Sequence, residues 1–470
     1  MPDAATRRPA EQEMVFDGMA EPRSASCSAD GEMRLPERQA EPDRGGTVSA
    51  ATGVVDFDLG SPMPDLVDVP ALGARCLVRV QGRPIGVVDL DGSQSGVCAN
   101  ELAGAIQGWL GDAVGRRMAQ FGTSHQRVQA AGLALPPAAP ADLDPVAVTV
   151  VVATRDRADT LERCLDSLLA TTPPPESVVV VDSSPSDDQA RLLLERRWPN
   201  DPGITYVRES RPGLGRAHNA GLSFVSTPYV AFTDDDVVVD RRWVGALADG
   251  FYAADDVACV TGLIMPGELC TREQWWVEQG AGFGKGFDRR VRSLADSREE
   301  TALFPFDAGT FGSGANMAFT IRFLRELGGF DPALGAGTRA LGGDDLAALH
   351  QVVARHHTLV YEPDAVVFHR HHDNLGALRR QAFGYGAGLS AYLTHAVVNK
   401  PVVAAQIARR AASGAARLML KSSPMNARRP ADYPRHLVWW ERAGMVAGPL
   451  RYLWQRRTDR RVERSNKVPS

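Results

Sequence analysis

The stretch Tyr229-Val-Ala-Phe-Thr-Asp-Asp-Asp236 joins a short apolar run to three consecutive carboxylates. Residues 229–232 read as a buried strand. Asp234, Asp235 and Asp236 sit at its end, where three like charges repel one another and require compensation. A divalent cation would supply it, because hard cations take oxygen ligands. A solvated acidic turn is the other reading of such a triplet.

Upstream, the chain repeats one pattern. Val146-Ala-Val-Thr-Val-Val-Val-Ala is a near-continuous apolar strand, as expected for one buried on both faces of a parallel sheet. Thr154-Arg-Asp-Arg-Ala-Asp-Thr follows as a loop, and Leu161, Cys164, Leu165, Leu168 and Leu169 then recur at helical spacing. Pro173-Pro-Pro ends that helix. Ser177-Val-Val-Val-Val-Asp182 is a second strand, residues 188–198 a second helix, Ile204-Thr-Tyr-Val a third strand, and residues 213–224 a loop entering a third helix. Alternating strands and helices predict a doubly wound sheet, in which ligands bind beyond the carboxyl ends of the strands. Thr154, Arg157, Asp182 and the acidic triplet all fall at that edge. The run Gly213-Leu-Gly-Arg-Ala-His-Asn-Ala-Gly221 is not the dinucleotide fingerprint and follows the third strand, and there is no phosphate-binding G-x-x-x-x-G-K-[ST] loop.

These segments together resemble the family 2 glycosyltransferases, inverting enzymes of the GT-A nucleotide-diphospho-sugar transferase fold. Val150-Val-Val-Ala-Thr-Arg-Asp-Arg157 resembles the family's opening strand and loop, with Ala153, Arg155 and Asp156 departing from the usual Pro, Tyr and Asn. Val179-Val-Val-Asp-Ser-Ser184 resembles the segment whose Asp holds the nucleobase. The run 213–221 resembles G-x-x-x-A-R-N-x-G, with His218 in place of Arg. Thr233-Asp-Asp-Asp236 resembles the D-x-D metal motif. Gly312-Ser-Gly-Ala-Asn-Met-Ala-Phe319, Leu327-Gly-Gly-Phe-Asp331 and Gly343-Asp-Asp-Leu-Ala347 resemble the acceptor-half segments, with Asp344 for Glu and Ala347 for the last Asp of G-E-D-x-D. The resemblance spans roughly residues 146–395, and its specificity lies in the order of the motifs.

The resemblance implies a division of labour. Asp182 holds the base, Asp234 lies near the ribose and Asp236 on a Mn²⁺ or Mg²⁺ ion, with His369 or His371 of Phe368-His-Arg-His-His372 as a third ligand. Asp345 falls on the general-base position, with Asp344 as the alternative. The chemistry fits these residue types: the leaving diphosphate gains charge that a cation neutralises, and the acceptor hydroxyl must lose a proton to a base. Thr154, Arg157, Arg216 and Asn219 complete the candidate donor-nucleotide set. For Arg216 a plain surface arginine is the competing reading. Asp344 and Asp345 also suit the acidic first turn of a helix. Trp275-Trp276 precedes the Gly-rich Gly280-Ala-Gly-Phe-Gly-Lys-Gly286, and either stacks on a sugar or packs in the core.

Outside this region, residues 1–52 read as disordered. Residues 53–135 read as a small α+β accessory module containing a hairpin at Gln81-Gly-Arg-Pro and a helix from Glu101 to Leu110 with Asn100 as its cap. Residues 136–145 read as a Pro/Ala linker. Residues 146–395 form the α/β GT-A domain with its doubly wound, mostly parallel sheet, and residues 396–470 a basic amphipathic helical extension. The chain of 470 residues carries a net charge of −5, which does not point to nucleic acid. From Arg370 onward, however, there are 19 Lys/Arg against 5 Asp/Glu, which suggests an anionic lipid surface or a polyanionic substrate as partner. Aromatics mixed with arginines in Leu437-Val-Trp-Trp440 and residues 450–457 are an interfacial membrane pattern; packed helices with a basic outer face account for it equally. The six cysteines show no C-x-x-C pair, which argues against a zinc ribbon or a disulfide scaffold. No apolar run approaches the ~20 residues of a membrane span, and no signal pattern opens the chain. The expectation is a cytoplasmic, hexosyltransferase-like, metal-dependent inverting enzyme, associated with the inner face of the membrane. It would use a nucleotide-diphospho-sugar donor and a saccharide or lipid-linked acceptor, in cell-envelope polysaccharide or glycolipid synthesis. A nucleotidyltransferase of similar fold and a catalytically silent sugar-nucleotide-binding or docking protein are the alternatives.

Overall fold

The computed structural model describes residues 47–92, 96–120, 122, 126–135, 147–294, 303–419 and 429–466. The first 46 residues and the 136–145 linker lie outside the described residues. The N-terminal module begins at Thr47, six residues before the expected start, because β1 (Thr47–Ser49) pairs in parallel with β3 (Leu66–Asp68). β3 also pairs with β6 (Val97–Cys98), and a second three-stranded sheet holds β2 (Val54–Asp58), β4 (Ala74–Val80) and β5 (Arg83–Leu90). β4 and β5 are joined by Gln81-Gly82, both at positive φ (53° and 75°), the two-residue turn whose twist suits a hairpin. Helix α1 (Ala99–Gln120) runs ten residues beyond the expected end at Leu110. Asn100 does not cap it; Glu101 accepts a hydrogen bond from the Cys98 N–H (2.9 Å) at its start. Leu102, Ile106, Val114 and Met118, at helical spacing, bury against Val55, Phe57, Cys76 and Val78.

The central domain is built on a nine-stranded sheet in the order β11-β15-β12-β14-β10-β7-β8-β9, with β13 beside β15. Its strands are β7 (Val148–Thr154), β8 (Ser177–Ser183), β9 (Ile204–Glu209), β10 (Tyr229–Asp234), β11 (Val237–Val239), β12 (Val257–Pro266), β13 (Arg290–Arg292), β14 (Met317–Thr320) and β15 (Thr358–His369). Six strands run one way, and β11, β13 and β14 run against them. This is the mostly parallel α/β architecture expected, with a small module before it and helices after it. The β7 valines alternate: Val148, Val150 and Val152 pack with α2 (Ala158–Leu169) and α5 (Trp243–Phe251) through Leu161, Leu165 and Trp243. Val151 joins the opposite core with Val179, Phe232, Phe319 and Leu349. Burial on both faces explains why these strands read as unbroken apolar runs. The remaining helices of this domain are α3 (Gln189–Arg197), α4 (Leu214–Leu222), α6 (Arg272–Ala281), α7 (Ile321–Leu327) and α8 (Asp344–Ala354).

The C-terminal helices are α9 (Leu375–Asn399), α10 (Val403–Met419) and α11 (Arg435–Asn466). The boundary expected at residue 395 falls inside α9. That helix packs Tyr392 and Ala391 against Ala347 of α8 and Tyr452 of α11, so it belongs to the central domain. Four cysteines, Cys76, Cys98, Cys164 and Cys259, are free thiols, whereas Cys270 is disulfide-bonded, a departure from what the cysteine spacing suggested.

Helices α9 and α11 touch backbone to backbone. A Cβ at Gly444 would overlap the Phe383 carbonyl oxygen, and one at Gly448 the Ala387 carbonyl. Small-to-large changes at such crossings force the backbones apart at about 1–3 kcal/mol. Gly444→Ala is therefore expected to lower the unfolding free energy by that amount, read as a lower urea midpoint. Gly104→Ala, on the open face of α1 with no atom within 4 Å, is expected to leave stability unchanged or raise it by up to ~1 kcal/mol. Equal effects of the two would refute the close crossing.

Candidate active site

Strand register assembles the site. Asp234 lies level with Ala153 across the β10–β7 pair, and Thr154 level with Asp182 across β7–β8. The β10 strand runs through Asp234, two residues further than the apolar run alone indicated. The chain then turns into β11, whose Val237 pairs with His369 at the end of β15, and the Arg370 N–H donates to the Asp236 carbonyl (3.2 Å). This pairing brings together Asp236 and His369, 133 positions apart in sequence. Ligand atoms of Asp234, Asp236 and His369 all lie within 4.8 Å of one another, and His369 Nε2 stands 3.5 Å from Asp236 Oδ1. Among the described residues, buried Asp236 Oδ1 has no hydrogen-bond donor. Two carboxylate oxygens and an imidazole nitrogen, with one oxygen left bare, are a donor set that fits a divalent ion such as Mn²⁺.

The middle carboxylate is occupied differently. Asp235 is buried, and Thr154 Oγ1 donates to its Oδ2 (2.7 Å). Arg157 Nη1 donates to Asp235 Oδ1 (3.2 Å) and to Asp236 Oδ2 (3.0 Å). Burial, then Asp236, push the Asp235 carboxyl up to about 6 despite Arg157 and Thr154. Asp234 is raised further, by burial first and then by Asp236, Asp235, Asp344 and Asp345. The two acidic clusters of the sequence thus sit in each other's field. Asp182 accepts from the Tyr206 hydroxyl (2.9 Å) at Oδ2, while its buried Oδ1 makes no hydrogen bond among the described residues.

Two sequence-nominated donor contacts have other work. Arg216 is buried, donating from Nη1 to the Pro212 carbonyl (3.0 Å) and pairing through Nη2 with Asp459 of α11 (2.5 Å). Asn219 exchanges two hydrogen bonds of 2.8 Å with the Phe330 backbone. Both fasten α4 to neighbouring elements, a use that sequence spacing does not reveal. His218, where the resemblance expects Arg, is buried between Phe232 and Phe330, each 4.8 Å away. Burial lowers its pKa to about 3, so it is neutral.

Asp344 and Asp345 open α8. Asp345 Oδ2 accepts from the Gly314 N–H (3.0 Å) and Oδ1 from the Leu346 N–H (2.8 Å). Thr233 in turn donates to the Ala315 carbonyl (2.9 Å), so the base candidate is tethered to the strand that bears the metal candidates. Asp344 is more deeply buried, its Oδ2 without a donor among the described residues and 3.6 Å from His218 Nδ1. Burial, then Asp345, push it up to about 7. Asp345 is also raised, by burial, with the backbone donors pulling back. Donors that solvate an anion favour the ionised form, so of the pair Asp345 is the one equipped to be charged.

Sequence reading missed Tyr385, Phe283 and Glu278. Tyr385, on α9, is 42% exposed, and its phenol is raised by desolvation and then by Asp345, Asp234 and Asp236, which places it in the field of both clusters. The Phe283 ring lies 5.3 Å from His369, 5.8 Å from His371 and 6.3 Å from Tyr385. The Gly-rich setting of Phe283 gave no indication of what its ring packs against. His371, the alternative third ligand, is instead bonded to Glu278 (3.0 Å). Of the Trp pair, Trp275 is core, packed with Val54 and Leu269, and Trp276 donates to Asp432 (2.9 Å).

The Asp344 shift has a stability consequence. Its folded-state pKa, about 7, exceeds the ordinary ~4 of an unfolded chain. Its contribution is complete below pH ~4 and is lost as the pH climbs through 7. Asp344→Asn should remove that loss, gaining stability over the wild type between pH 5 and pH 8 by on the order of 2 kcal/mol. Urea unfolding at the two pH values checks it, and parallel pH dependence in both proteins would contradict it.

Residues 149–328 match the family described as Glycosyl transferase family 2. Two curated relatives, the Pre-mycofactocin glycosyltransferases of Mycobacterium tuberculosis strains CDC 1551/Oshkosh and ATCC 25618/H37Rv, are each 26% identical over 269 residues, covering 57% of this chain and 52% of their own. The chain thus spans about half the length of the curated relatives it matches. Among solved structures, a mannosyltransferase from Pyrobaculum calidifontis in complex with GDP-Man and Mn²⁺ is 22% identical, with 67% of this chain and 91% of that one covered at a TM-score of 0.43. GalNAc-T7 with UDP, GalNAc and Mn²⁺ is 16% identical, with coverages of 51% and 47% and a TM-score of 0.36. Residues 149–328 are thus the stretch of this chain that is similar to glycosyl transferase family 2.

Proposed function

We propose that the protein transfers a sugar from a nucleotide-diphosphate donor to an acceptor hydroxyl with inversion at the anomeric carbon. The carrying observation is the convergence of Asp234, Asp236 and His369 within 4.8 Å, beside a separately tethered carboxylate, Asp345. Asp234, Asp236 and His369 would hold a divalent cation, Mn²⁺ being better suited than Mg²⁺ to a set containing imidazole. When bound, the cation supplies charge neutralisation for a leaving diphosphate.

The chain's own residues do the rest. The bare Oδ1 of Asp182 accepts a base N–H. Arg157, half exposed and already among the carboxylates, adds positive charge on the diphosphate side. Asp345, held by two backbone N–H groups, takes the proton of the acceptor hydroxyl as the new glycosidic bond forms. Tyr385 and Phe283 form an aromatic wall suited to stacking on a sugar ring. Asp345→Asn should cut turnover by about 10²–10⁴-fold with donor binding retained, whereas Asp236→Asn should weaken Mn²⁺-dependent donor binding itself. Sugar-nucleotide hydrolysis and transfer, with the product anomer read by NMR, checks both. Retention of configuration would remove inversion from the proposal, and no metal-dependent turnover with any common donor would favour a silent binding protein.

We further propose that the acceptor is a saccharide or lipid-linked molecule of the cell envelope, met at the cytoplasmic face of a membrane. No helix among the described residues is long and apolar enough to cross one. Trp439, Val446, Leu450 and Trp454 are 69%, 81%, 74% and 58% exposed and recur at helical spacing along α11, with Arg457 and Arg461 continuing the same face. Aromatic and aliphatic groups flanked by arginines suit a headgroup boundary rich in anionic lipid. Flotation with phosphatidylglycerol vesicles should recover the protein, pure phosphatidylcholine vesicles should not, and Trp439→Ser/Leu450→Ser should weaken binding about tenfold or more. Equal recovery of both proteins would exclude this face.

A further inference from the structure

The N-terminal module reaches the cation site through one arginine. Arg75 of β4 is bidentate to Asp89 of β5, both contacts 2.7 Å. Its remaining nitrogen, Nη1, lies 2.5 Å from Glu278 Oε1 in α6 of the catalytic domain. Glu278 Oε2 lies 3.0 Å from His371 Nε2, and the His371 carbonyl accepts from Gln274 of the same helix (3.4 Å). His371 is two residues beyond His369, their ring centroids 5.8 Å apart, with the Phe283 ring against both. The line from module to site is thus Asp89, Arg75, Glu278, His371, His369.

The environment makes each link consequential. The side chains of Arg75, Glu278 and His371 are 12%, 7% and 0% exposed, and Trp275 lies 5.7 Å from the Arg75 guanidinium. Burial would raise the Glu278 carboxyl, but His371 and Arg75 outweigh it and hold it below the usual range. A charged Glu278 accepts the Nε2–H of His371 and so fixes that ring's tautomer and tilt. Removing one partner of a buried charged pair leaves the other uncompensated, so without Arg75 the Glu278 carboxylate and the His371 ring lose their arrangement. Partners behind a metal-ligating histidine commonly set its orientation and affinity. Here the packed partner of His369 is another histidine, held in turn from a different domain.

We propose that Arg75 is a positioning residue for the cation site, acting through Glu278 and His371 on His369, so that docking of the N-terminal module completes the metal-binding geometry. The inference rests on the reading of Asp234, Asp236 and His369 as cation ligands. The module makes other contacts with the sheet domain, among them Arg83 with Asp364 (3.0 Å), which touches none of these residues and serves as the control for docking alone.

The test uses the full chain and Mn²⁺, alone and with UDP or GDP, counting unbound Mn²⁺ by electron paramagnetic resonance. Arg75→Gln and Glu278→Gln should each weaken Mn²⁺ binding by roughly tenfold or more, and the double variant should be no weaker than the worse single one. Arg83→Gln should bind Mn²⁺ as the wild type does, even if its melting temperature falls. In turnover, Arg75→Gln should raise the Mn²⁺ concentration needed for half-activity much more than it lowers kcat at saturating metal, and Arg75→Lys should restore part of the affinity. Wild-type affinity in both Arg75→Gln and Glu278→Gln, with only a lowered melting temperature, would overturn the proposal and leave Arg75 a docking clamp. Should Arg75→Gln fail to fold, Glu278→Gln decides the matter from the other side of the same contact. A wild type that binds no Mn²⁺ under any of these conditions would instead sink the cation reading beneath it.

Discussion

Five carboxylates, Asp234, Asp235, Asp236, Asp344 and Asp345, are forced into one electrostatic neighbourhood at the edge of the catalytic sheet. Most of what surrounds that edge manages this repulsion. Burial raises the proton affinity of Asp234, Asp235, Asp344 and Asp345, and each carboxylate is relieved by a different route. Asp235 takes a hydroxyl and a guanidinium, from Thr154 and Arg157. Asp345 takes two backbone N–H groups. Asp344 moves towards its neutral form. Asp234 and Asp236 are left with one imidazole and one shared arginine, and there a cation would do the most electrostatic work.

That distribution separates two kinds of acidic residue that look alike in sequence. Asp235 is a structural carboxylate that braces the turn through Thr154 and Arg157, whereas Asp234 and Asp236 converge with His369. Likewise Asp344 and Asp345 are adjacent, but it is Asp345 that is tied through Gly314, Ala315 and Thr233 to the strand ending in Asp234. In the proposed reaction, a charged acceptor-side base and a cation-holding donor side would need a common, rigid frame. The short path from Thr233 to Asp345 provides one.

The strands were legible because both faces of the sheet are covered, which leaves nearly continuous apolar runs in β7, β8 and β10. Strand order, and hence the co-location of Thr154, Asp182 and Asp234, followed from the alternation of strands with helices. The misreadings have a common cause. Arg216 and Asn219 stand in a motif that suggested ligand contact, but Asp459 and the Phe330 backbone, 243 and 111 positions away, claim their polar atoms. Tyr385, Phe283, Glu278 and Arg75 carry no local signature, because their roles arise from helices and a module that arrive from distant parts of the chain.

By itself the sequence determined the α/β plan, the acidic triplet at a strand end and the later acidic pair at a helix start, since periodicity and charge spacing are local properties. Tertiary structure alone decided which carboxylate is braced and which is left bare. It alone chose His369 over His371 to face Asp236, and it drew the N-terminal module into the surroundings of the site. Those outcomes depend on strand register and on buried partners across domains, and neither is encoded in the spacing of neighbouring residues.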